Sequence, residues 1–146
     1  GDIEEWETEN SILDTINLTP HLEKLKQFNM PLSVALPCFS WNVKFSGNYD
    51  YYFMEGIDYR DYDFSDNKNF EKISENRYKM GNNRDNSYTT NQAYLRHEEV
   101  SMETIEKVKE MLIKNMSSSP KQFVIYHLDS VNLSKLSDND VEKIYR

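Results

Sequence analysis

Two short stretches carry the side chains best suited to chemistry. Ser40 and Trp41 leave the carboxyl end of an apolar run, Leu32 to Leu36, and Tyr126, His127 and Asp129 close a second run that begins at Phe123. An indole can stack on the C–H face of a sugar ring, and a carboxylate can hold a hydroxyl or act as acid or base. Glu98, with Glu99 beside it, is a further carboxylate of this kind. Asp129 and Glu98 are therefore the candidate catalytic groups, and Trp41, His127, Tyr126 and Ser40 the candidate substrate contacts. Each also has a plainer use. A Trp after an apolar strand commonly packs in a core. A His within a strand commonly makes a structural hydrogen bond. Asp followed by Ser commonly caps a turn, and a Glu pair ahead of a helix cap can sit in solvent and favour the helix dipole.

Other chemistries lack their residues. His21, His97 and His127 show no metal-ligand spacing, and no HExxH, CxxC, Gly-rich phosphate loop or GxSxG elbow is present. No metal and no cofactor is expected. Cys38 is the single cysteine, so it has no internal disulfide partner and reads as a small buried hydrophobe. A net charge of −8 makes nucleic acid a poor partner. No apolar run approaches the ~20 residues of a bilayer span, so no transmembrane segment is expected in this chain.

The elements that must position these residues alternate between helix and strand. Thr19 as cap and Pro20 as first helical residue predict a helix over 19–28, with Leu18, Leu22, Leu25 and Phe28 on one face. The run over 32–36 predicts a strand buried on both faces, as in a parallel sheet. Asn42 to Phe45 and Tyr49 to Phe53 read as a hairpin around Gly47-Asn48. Residues 49–92, rich in Tyr, Asp and Asn, read as an irregular insertion in which Asn69 to Tyr78 could hold one helix and Tyr94 to Arg96 a short strand leads out. Ser101 caps a second helix with Met102, Ile105, Val108, Met111 and Leu112 as its stripe. Phe123 to Leu128 is the second buried strand, and Ser137 caps a third helix. Trp6 stands among Asp2, Glu4, Glu5, Glu7 and Glu9 and is expected to dock, since linkers rarely carry a Trp.

The chain thus reads as one α/β domain over 1–146, with parallel neighbouring strands covered by helices. With 38% hydrophobic and 13% aromatic residues, it can build a packed core. Carboxyl ends of parallel strands are where α/β ligand sites gather, which would bring Trp41, His127 and Asp129 to one edge.

Three stretches together resemble a known pattern: Pro31 to Trp41, Leu95 to Ser101 and Val124 to Ser134. They are similar to the ALP-x-FSW, R-x-E-x-V and HLD-x-x-NLS segments of poorly characterised bacterial (β/α)-barrel, glycoside-hydrolase-like proteins, often predicted lipoproteins. The resemblance implies a partial barrel or small parallel-sheet domain from the C-terminal part of a longer chain, since a full barrel needs about 200 residues or more. It also implies a cell-envelope location and a carbohydrate ligand, to be cleaved or, alternatively, only bound by a non-catalytic or protein-interaction module. A partial barrel leaves strand edges and apolar faces open, so the chain is expected either to pair with a second copy, as a homodimer, or to cover them with the aromatic middle segment.

Overall fold

The computed structural model describes residues 1–56, 62–81, 93–117, 122–126 and 129–145, with the backbone alone for 52–56. The chain sorts into two compact units. One comprises Gly1–Ser11 with Ser40–Glu99, the other Ile12–Phe39 with Val100–Arg146.

The second unit holds a parallel pair of strands and the helices packed on it. Helix α1, Thr15–Leu25, starts four residues before the expected Thr19 because Asp14 is the better cap: its Oδ1 accepts from Ile16 N at 2.8 Å and Asn17 N at 3.3 Å. Pro20 consequently lies inside the helix. Its missing N–H removes the usual i+4 donor to the Ile16 carbonyl, which is tolerable because Ile16 is 81% exposed. Strand β1, Ser33–Pro37, follows. Helix α2, Met102–Asn115, is capped by Ser101, whose Oγ accepts from Thr104 N at 3.2 Å, and buries Ile105, Val108 and Leu112. Strand β7, Gln122–Tyr126, pairs with β1 in parallel, Leu36 opposite Ile125. A one-turn helix α3, Ser130–Leu133, and helix α4, Asp138–Tyr145, complete the unit. Ser137 and Asp140 cap α4 reciprocally, Asp140 N donating to Ser137 Oγ and Ser137 N to Asp140 Oδ2.

Leu22, Leu36, Cys38, Ile105, Val108, Leu112, Phe123 and Ile144 form the core of this unit. The strands are buried on one face only, contrary to the two-sided burial expected of them. Leu36 and Phe123 face the core, while Ser33, Ala35, Gln122 and Tyr126 are exposed. Among the described residues the sheet ends at two strands, and alternation along each then separates a helix-covered face from an open one.

The first unit is an antiparallel sheet of β2 (Ser40–Phe45), β3 (Tyr51–Gly56), β4 (Phe70–Ser74), β5 (Arg77–Met80) and β6 (Tyr94–Glu99), in the order β3-β2-β6-β5-β4. The β2–β3 hairpin turns through Ser46 to Asp50, with Tyr49 in the left-handed region at φ 63°. Asn69 to Tyr78 is a strand hairpin and not a helix. Phe70, Tyr78, Met80 and Leu95 share a buried cluster, and pairing of β5 with β6 outweighs a weak local helix signal. The span 49–92 is accordingly not irregular throughout, since it supplies β3, β4 and β5. Residues 57–61 and 82–92 of that span lie outside the described residues.

The architecture is mixed α/β, with a small parallel sheet and a separate antiparallel one; the described residues form no closed barrel. No helix of the described residues is long and apolar enough to cross a membrane.

Candidate functional site

In the antiparallel sheet, directly opposed residues share a face. Trp41 stands opposite Glu98 and Val43 opposite Arg96, so Glu98, Arg96 and Trp41 line one face. Glu98 is fully enclosed. Its Oε1 accepts from Arg96 Nε at 2.6 Å, and its Oε2 from Trp41 Nε1 at 2.9 Å, Ser11 N at 2.6 Å and Ser11 Oγ at 2.7 Å. Four donors on two oxygens hold this carboxylate as a structural anchor, in a place where solvation as a helix-dipole partner was the plain expectation. The Trp41 indole is half-buried and its N–H is committed to that anchor.

The opposite face carries a second polar row. Ser40 stands opposite Glu99 and Asn42 opposite His97. Asn42 Oδ1 lies 3.0 Å from His97 Nδ1, so the imidazole donates there when neutral and turns the Nε2 lone pair outward, 4.0 Å from Glu99 Oε2. Burial pulls the His97 pKa below its ordinary 6.5, with the Glu98 charge opposing, and burial pushes the Glu99 carboxyl above 4.5. Phe64 packs on the imidazole at 5.2 Å between centroids. Asn42 is completely buried, and its Nδ2 has no hydrogen-bond partner among the described residues. Neither Asn42 nor His97 is conspicuous in the sequence; the available signal was the register set by β2 and β6, which no local pattern reveals.

At the carboxyl ends of β1 and β7, Tyr126 is 58% exposed and its ring meets Phe39 edge-on at 6.1 Å. Asp129 caps α3: its Oδ1 accepts from Val131 N and Asn132 N at 2.9 Å each, and its Oδ2 from Asn132 Nδ2 at 2.6 Å. His127 lies outside the described residues. Of the candidates, the structure brings together Trp41 and Glu98. Ser40 is buried in β2 of the same unit, and Tyr126 and Asp129 belong to the other.

Among the described residues no group of three or more His, Cys, Asp or Glu side chains is placed to hold a metal ion. Comparison with protein-family models, with curated proteins and with solved structures finds no match to this chain.

Proposed function

We propose that the chain is a glycoside-hydrolase-like α/β portion of a cell-envelope protein that binds carbohydrate without cleaving it. The substrate class comes from the resemblance of 31–41, 95–101 and 124–134 to barrel hydrolases, in which β1 and β7 with their helices would be a piece of the barrel wall. The observation that carries the non-catalytic form is the state of the carboxylates. Hydrolysis needs two carboxyl groups open to one glycosidic bond. Glu98 has no exposed surface and Asp129 uses both oxygens in a cap. What the carboxyl edge of β1 and β7 does offer is an aromatic surface, Tyr126 beside Phe39. Such a ring can cover the C–H face of a neutral sugar, which the chain's −8 charge does not repel.

Calorimetry of wild type and Tyr126→Ala against a panel of neutral oligosaccharides tests this. Binding by wild type that weakens about tenfold or more in the variant, a loss in line with one desolvated aromatic contact, is expected. Equal binding by both proteins removes Tyr126 from the site, and binding by neither ends the carbohydrate reading.

A further inference from the structure

Segment 3–11 has no regular structure of its own, yet the antiparallel sheet holds it along most of its length. Arg96 donates to the carbonyls of Ile3, at 3.0 Å, and of Glu5 and Trp6. Arg77 donates to the carbonyls of Trp6, at 3.1 Å, and Thr8, at 3.2 Å. Asn76 Nδ2 takes the Glu9 carbonyl at 3.0 Å, and Glu98 takes the Ser11 N–H and hydroxyl. One side chain anchors the segment. The Trp6 ring meets Phe45 at 5.1 Å, Tyr49 at 5.0 Å and Tyr94 at 5.8 Å, and the Arg77 guanidinium lies 5.4 Å from its centroid.

This is how a peptide-recognition surface works: side chains of the receptor read main-chain carbonyls, and a single aromatic pocket sets specificity. The two arginines also suit the segment's charge, since Glu4, Glu5, Glu7 and Glu9 flank the anchor. The segment ends at Ser11, where the chain passes from one compact unit into the other.

We propose that this sheet face is a docking site for an extended acidic peptide anchored by one tryptophan, that segment 3–11 is its resident occupant, and that the same segment of a second copy of this chain exchanges into it. The site closes equally well in cis or in trans, because the contacts named above all run between the segment and β2, β5, β6 or the β2–β3 and β4–β5 turns. Exchange then converts closed monomers into a dimer without any new interface chemistry. This proposal is independent of the carbohydrate reading.

The test titrates a fluorescein-labelled peptide of residues 2–11 into the 146-residue chain carrying Trp6→Ala, whose own segment lacks its anchor, and into wild type. Saturable binding to the variant is expected, with apparent affinity for wild type at least about tenfold weaker, because the intact segment competes at an effective concentration of order millimolar. Binding is expected to vanish when the peptide's own tryptophan is replaced by alanine. No saturable binding to a folded variant overturns the proposal, as does equal binding by the peptide without tryptophan. Should Trp6→Ala fail to fold, Trp6→Phe keeps a ring between Phe45 and Tyr94 and is read by the same outcomes. Native mass spectrometry of wild type at rising concentration reads the exchange itself: a dimer that excess peptide dissolves is expected, and a strict monomer throughout overturns the second-copy occupant.

Discussion

Arg96 Nε lies 2.6 Å from Glu98 Oε1, and neither side chain has any exposed surface. The pair sits two residues apart on β6, facing the same way, and bridges the sheet to segment 3–11. Breaking such a pair from one side strands a buried charge. Glu98→Ala is therefore expected to cost about 3–5 kcal/mol in urea unfolding, whereas the double replacement Arg96→Met with Glu98→Leu recovers part of that loss. Arg96 also offers donors to three carbonyls, so recovery stays incomplete. A single-variant cost under about 1 kcal/mol, the level of an exposed pair, would contradict the anchor role.

The imidazole of His97 introduces a pH dependence. Its folded pKa is depressed by burial, so the unfolded chain binds the proton more readily. Its stability contribution is complete above the unfolded value near 6.5 and is lost as pH falls through that value toward the lower folded one. Asn42, Glu99 and Phe64 face the ring, the Glu98 charge acts on it from the other face of the sheet, and Glu99 titrates with the opposite sign, its raised carboxyl costing stability as pH rises. Subtracting the stability-against-pH curve of His97→Gln from that of wild type isolates the imidazole. The difference is expected to slope between pH 7 and pH 5, with wild type losing more on acidification; a flat difference would remove the effect.

Cys38 belongs to the core of the second unit, and burial pushes its thiol up to about 11. The thiolate is the reactive form. Disulfide-exchange reagents at pH 8 should therefore label native protein slowly and unfolded protein at the rate of a free thiol. Immediate native labelling would show that the core over Leu36 and Phe123 is open.

Asp129 caps a helix of one turn. Asp129→Ala should cost on the order of 1 kcal/mol, typical of a lost cap, and leave oligosaccharide binding unchanged. Loss of binding at unchanged stability would return Asp129 to the role its position after β7 first suggests.

The second unit was legible because its elements are locally specified. Ser101 followed by Ile105, Val108 and Leu112, and the apolar runs of β1 and β7, give helix, strand and parallel pairing without knowledge of the rest. Asp14 was hidden because Thr19-Pro20, five residues later, also has the residue types of a helix start. The polar sites were hidden for a different reason. Glu98 looks solvated beside a helix cap, and only the pairing of β6 with β2 encloses it, with donors from Trp41 and Ser11. Strand β4 lacks apolar alternation, Phe70 being its one buried residue, and β5 alternates over only four residues, so their identity comes from the neighbouring strand.

The central claim, that the chain binds sugar and does not cut it, is tested most directly by following binding and reducing-end release in the same oligosaccharide titration. Saturable binding with no new reducing ends is predicted. Release of reducing ends by wild type, abolished in Asp129→Asn, would contradict it.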